Sequence, residues 1–196
     1  MVNISQVILF ATLLIAFSAY PTGCDKCPPS STNDRRGSTE QLFIYQRAAD
    51  NARLLKKNDV LKKGDVIQVV YKTVEENIVI VSVDGWGVVT VHFPEAPPCS
   101  THVSRRGRNS VLKFAFELDA APDHEHFFMM GSDTAIDIRN LAEWFHRTPY
   151  EALLTTAPPD GVRIIEDFLI KKADTAIPAP SSLKLIEGAC LFSGPT

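Results

Sequence analysis

The chain has 196 residues, with 20 basic and 23 acidic side chains and a net charge of -3. That length suits one ordinary domain with extensions, and a pI of about 5.9 leaves no global electrostatic footprint for nucleic acid. The one basic cluster, Arg105-Arg106-Gly107-Arg108, has no aromatic neighbours and reads as a solvated loop, so no nucleic-acid partner is expected.

From Val7 to Tyr20 the chain is uncharged and apolar (VILFATLLIAFSAY), and Pro21-Thr22-Gly23-Cys24 follows. The run fits the apolar region of a signal peptide, about 7–15 residues. It falls short of the roughly 20 that a bilayer span needs. The Gly23-Cys24 junction resembles a bacterial lipoprotein signal, which makes Cys24 a lipid-anchor candidate. Pro21 stands where that signal usually has Leu, and no Lys or Arg precedes the run. Residues 1–23 are therefore expected to be a signal peptide or membrane anchor, with the membrane as partner through this segment. An uncleaved single span and a buried first element are the competing readings. Cys24-Asp25-Lys26-Cys27 has the spacing of half a zinc site or of a redox pair. Neither is favoured: Cys99 and Cys190 stand alone rather than as a second ligand pair, and Pro28-Pro29 follows where a redox motif would open a helix. No cofactor is expected.

Residues 24–38 are polar and Pro/Ser-rich and read as a flexible tether. Structure is predicted from about Gln41, where LFIYQ makes a strand. Lys62-Lys63-Gly64-Asp65 reads as a tight turn feeding a strand from Val66 to Tyr71. Ile78–Val83 and Val88–Phe93 are predicted strands, joined as a hairpin by Asp84-Gly85-Trp86-Gly87, whose glycines supply the positive φ such turns need. Pro94, Pro97 and Pro98 end the sheet there. Val111–Leu118 alternates Leu112, Phe114 and Phe116 against Lys113, Ala115 and Glu117, the pattern of a half-buried strand. His126–Met130 is a further short strand. Asp137 opens a helix whose Ile138, Leu141, Ala142, Trp144 and Phe145 form one apolar face, ending before Thr148-Pro149. Val162–Lys171 leans to a strand through its β-branched content. Leu183–Ile186 adds at most a short edge piece to a mostly irregular tail, residues 173–196.

The folded part is thus residues 39–172, one β-rich domain: an antiparallel β-sandwich or half-barrel with one packed C-terminal helix. Its expected core is Ile67, Val69, Ile80, Val89, Phe114 and Phe116 with Leu141, Trp144 and Phe145. At this size the core should suffice without disulfides.

Several pieces of the chain, in order, form a pattern: QLFIYQRA, GDVIQVVY, IVIVSVDGWGVVTVHFPE, FAFELDAAPDHEHFF, GSDTAIDI and IEDFLIKK. Together they resemble a bacterial extracytoplasmic β-rich domain of unknown function, often found behind anti-sigma-like zinc-finger segments or on other envelope proteins. The resemblance covers most of residues 41–172. It implies a β-domain tethered near a membrane and implies no activity. The zinc-finger segment has no counterpart here, and His124 and His126 stand where the family more usually has an aromatic and a basic residue.

The densest polar cluster is Asp119, Asp123, His124, Glu125 and His126. Two histidines two apart on a strand point the same way, so a surface zinc or calcium site using His124, His126 and Asp123 is conceivable. The plainer reading is a solvated connection. Asp119 with Glu117 or Glu125 could be a glycosidase carboxylate pair only if a cleft set them at working distance. Ser82 has no histidine at readable spacing, no G-x-S-x-G elbow exists, and His92 reads as a packed strand residue. Trp86, at a hairpin tip, is a partner-contact candidate, or folds back over the sheet. The leading expectation is a non-catalytic binding or sensing module, exported to or anchored in a bacterial envelope, facing the periplasm or exterior, with an unknown protein or envelope ligand. The alternatives are a metal-dependent hydrolase using the 119–126 loop and a regulatory partner in envelope signalling.

Overall fold

The computed structural model describes residues 40–48, 51–95, 99–159 and 161–173, together with the backbone of 186–187. The leader, the tether with Cys24 and Cys27, Cys190 and most of the tail lie outside the described residues. No helix among the described residues is long and apolar enough to cross a membrane.

Eleven strands and one α-helix are described: β1 Gln41–Arg47, β2 Ala52–Leu54, β3 Val60–Leu61, β4 Val66–Lys72, β5 Asn77–Asp84, β6 Val89–Phe93, β7 Ser110–Val111, β8 Phe116–Glu117, β9 His124–Ser132, α1 Ile138–Arg147, β10 Arg163–Lys172 and β11 Ile186–Glu187. They form two sheets. One runs β2-β1-β4-β7, with β8 also on β4; the other runs β11-β6-β5-β9-β10-β3. The protein is mainly β, as the sequence predicts, and neither sheet closes into a barrel.

Burial explains why the two sheets read differently in sequence. Ile44, Ile67 and Val69 of the smaller sheet meet Ile78, Ile80, Phe127, Met129 and Ile170 of the larger one in an inter-sheet core. On its other face the larger sheet carries Val79, Val81, Val83, Phe128 and Met130 against Ile138, Leu141 and Phe145 of α1. With both faces covered, β5 is buried at all eight positions and reads as an apolar run from Ile78 to Val83 interrupted only by Ser82. β1, covered on one face only, alternates.

The helix begins and ends as predicted. The Asp137 carboxylate accepts from the backbone N–H of Arg139 and Asn140 at 2.9 and 3.2 Å, an N-cap worth about 1 kcal/mol. Thr148, ahead of Pro149, is already extended. Trp144 is half-buried rather than core, and its indole N–H donates to the Ala157 carbonyl at 2.9 Å.

Three expectations need correction. Val111–Leu118 is not one strand. Val111 pairs with Val70 and Phe116 with Ile67, so five steps on this segment face three on β4, and the excess loops out. Gln68 holds the loop, its amide donating to the Leu112 and Phe114 carbonyls at 2.7 and 3.2 Å. Leu112 is buried as expected, but Phe114 is 61% exposed and leaves the predicted core, while Phe116 is half-buried. The strand predicted at His126–Met130 is longer, β9, and paired on both sides, with β5 and β10. Its polar first residues and Gly131-Ser132 end hid the full length. The sheets are also not wholly antiparallel: β3 joins β10 and β11 joins β6 in parallel.

Candidate functional site

The polar cluster of residues 119–126 is placed by the start of β9 and by the β5–β6 hairpin. Asp84 shapes the hairpin, its carboxylate accepting from the backbone N–H of Trp86 at 2.9 Å and Val88 at 2.8 Å. The tip is fastened to the cluster at Gly85, whose N–H donates to the His124 carbonyl at 3.1 Å. A Cβ on Gly85 would lie 1.8 Å from the Pro122 carbonyl oxygen, so only glycine permits this approach. Trp86 is half-buried, and its indole N–H is shielded from water without a partner among the described residues.

Strand alternation then divides the cluster. Glu125 shares its parity with Phe127 and Met129 and turns into the inter-sheet core. His124 and His126 share theirs with Phe128 and Met130 and turn to the helix-bearing face. Asp119 and Glu125 of the loop thus meet Lys172, while Asp123 stays beside His124 at the cleft.

On the inner face Lys172, its side chain 1% exposed, is held by Asp119 at 2.6 Å and Glu125 at 3.0 Å. Burial pushes the Lys172 ammonium down, but the two carboxylates outweigh it and its pKa ends above the ordinary value. Burial raises Glu125, with Lys172 and the Ser82 hydroxyl pulling it back. Ser82 in turn lies 2.8 Å from His92 Nε2. A β-bulge adjoins the contact, Ile80 pairing with Phe93 and Val81 with Val91, and it turns Phe93 toward the inter-sheet core. His92, out of phase with Val89 and Val91 of the helix side, faces that core by plain alternation. There its ring meets Phe116 and Phe127, with centroids 4.4 and 5.3 Å away. Burial drives the His92 pKa down to about 4, so the imidazole is neutral at pH 7.

A histidine against a serine is the geometry of nucleophile and base, and the partner, ten positions on, is brought to Ser82 by the hairpin register rather than by a readable motif. The pair is nonetheless sealed: Ser82 has no exposed surface, and neither residue lines the described cleft. What it does chemically is satisfy polar groups inside the core, where an unmatched one would cost about 1–3 kcal/mol.

The outer face is organised by Tyr150, in the 3-10 turn Tyr150–Ala152 that follows α1. Its ring stacks on His124 with centroids 4.2 Å apart, and its hydroxyl lies 2.9 Å from His126 Nδ1. His126 Nε2 lies 3.0 Å from Asp167, which also binds Lys57 at 3.1 Å. Burial lowers the His126 pKa despite the Asp167 carboxylate beside it. For Asp167, burial is outweighed by His126 and Lys57, and the carboxyl lies below its ordinary value. At neutral pH the contact is thus a neutral imidazole donating through Nε2 to a carboxylate, not an ion pair. Nδ1 then accepts from the Tyr150 hydroxyl. Both His126 nitrogens are occupied, and no group of three His, Cys, Asp or Glu side chains among the described residues converges on a metal position. Asp123, in the left-handed region at φ 63°, is exposed at the rim.

An open cleft of about 470 Å³ lies beside this assembly, lined among others by Val60, Asp123, His124, Tyr150, Leu169 and Lys171. His124 Nε2 is buried there without a hydrogen-bond partner among the described residues, and burial together with the neighbouring His126 lowers its pKa.

Sequence reasoning missed Tyr150, Asp167, Lys57 and Lys172. A signal existed for Lys172, which falls in phase with Phe168 and Ile170 on β10 and so occupies an inward position. Cys99, half-buried against the helix-side core, is disulfide-bonded, which its solitary position in the sequence did not suggest. Set against known proteins, the chain matches no family model, no curated protein and no solved structure.

Proposed function

We propose that the chain is an exported protein of a bacterial envelope whose β-domain binds or senses a ligand or partner without transforming it. The observation that carries this reading is that Cys99 is disulfide-bonded. Such bonds persist in oxidising compartments and are rare where cytosolic reductants act. It agrees with the uncharged apolar run at Val7–Tyr20 and the polar tether after it, and with the extracytoplasmic location that the family resemblance implies. Support for binding rather than catalysis comes from the inner network. Ser82, His92, Glu125 and Lys172 are the groups most suited to chemistry, and each spends its capacity on another.

Cell fractionation with thiol trapping tests the proposal. The protein is expected in the envelope fraction, with Cys99 blocked to alkylation until a reductant is added. A cytosolic product with a freely alkylated Cys99 overturns it.

A further inference from the structure

We propose that the cleft beside Tyr150 is a binding site for a small organic anion, a carboxylate carrying an apolar body, whose charge is received by His124 and Lys171. The inference rests on the binding-module reading above and gives it a ligand class.

The lining supplies both halves of such a ligand's complement. Val60, on the edge strand β3, is 61% exposed, and Leu169 and Ala173 continue the apolar wall. Lys171 is exposed, and its ammonium has no ion pair among the described residues, unlike Lys172, whose ammonium is taken by Asp119 and Glu125. His124 contributes a buried ring nitrogen with no partner among the described residues. A shielded polar atom of this kind marks a place where an unfilled hydrogen bond is stored.

The groups around His124 give the sign. Asp123 precedes it, His126 lies on its own strand face, Lys171 and Lys172 approach from β10, and Tyr150 with its neighbour Glu151 covers it from the 3-10 turn. Asp167 is engaged with His126 and with Lys57. With His124 neutral, Lys171 and Asp123 balance. Once His124 takes a proton, the site gains a positive charge that no described carboxylate but Asp123 faces. An anion supplies the missing counter-charge, and Tyr150, stacked on the ring, is the side chain that moves to admit it. By linkage, a ligand that favours protonated His124 binds more tightly as pH falls.

The test is a titration of the full chain, isotopically labelled at histidine, with butyrate against chloride at matched ionic strength, followed by NMR. The His124 ring signals are expected to shift and saturate with butyrate only, while those of His92, on the opposite face, stay put. Affinity should be at least about five-fold tighter near pH 5 than near pH 7.5. Acetate, two methylenes shorter, should bind several-fold more weakly. Lys171→Gln should weaken binding about ten-fold and Asp123→Asn should tighten it. Both positions are exposed, so neither change threatens the fold. Static His124 signals, an equal response to chloride, a pH-independent affinity or an indifferent Lys171→Gln each overturn the site. None of these outcomes bears on where the protein resides, which fractionation alone decides.

Discussion

The two faces of the larger sheet treat polar groups in opposite ways within a few residues of each other. On the inner face Asp119, Lys172, Glu125, Ser82 and His92 form a chain in which each member meets another. On the outer face Tyr150 holds two histidines at once, yet one His124 nitrogen has no partner among the described residues, beside an open cleft. A saturated network in a low-dielectric interior specifies one packing and resists change. An unsaturated one next to solvent responds to protons and ligands. Mutually satisfied polar groups are thus concentrated on one face of β9, and the unpartnered His124 nitrogen lies on the other.

Removing the inner cation should break that contrast most severely. Lys172→Met leaves Glu125 charged in the core, and a loss of about 3–5 kcal/mol is expected in denaturant unfolding. The double variant with Glu125→Leu should recover much of it. A loss under about 1 kcal/mol for the single variant would mean that the inner network does not hold the sheets together.

Acid should be the next largest perturbation, and it acts on both faces. His92, His124 and His126 all have pKa values below the ordinary 6.5. The unfolded chain therefore takes up protons near that pH which the folded chain refuses. Stability is complete above pH 6.5 and declines as pH falls toward the folded values. For His92, with its pKa of about 4, the full loss is on the order of 3 kcal/mol. His92→Phe keeps the ring contacts and should remove most of this decline between about pH 6.5 and about pH 4. If the decline persists unchanged, the outer histidines carry it instead.

Tyr150→Phe is the mildest change. The stack on His124 survives, the hydroxyl contact with His126 is lost, and about 1 kcal/mol should go with it. The His126 ring signals should move in NMR while those of His92 do not. Movement at His92 would show that the faces are coupled through the sheet.

Much of the frame was legible in the residues. The Asp84-Gly85-Trp86-Gly87 hairpin and the Asp137 cap are local devices, in which a side chain bonds backbone within four positions. The parity of His124 and His126 was legible for the same reason. Val111–Leu118 misled because its alternation is real but its pairing with β4 is interrupted by Gln68, distant in sequence. The contact of Ser82 with His92 was not legible, because the two stand on different strands and only the β5–β6 register brings them together.

By itself, then, the sequence determined the longer central strands, where the helix starts and stops, and which side chains share a face within a regular strand. These follow from backbone preferences and spacing over a few residues. Tertiary structure alone decided what each face meets. Lys172 reaches Asp119 across 53 positions and Asp167 reaches His126 across 41, because strand order and register bring together residues that no local rule relates. The same assembly set the histidine pKa values, since burial is a property of the packed layers and not of the residues that enter them.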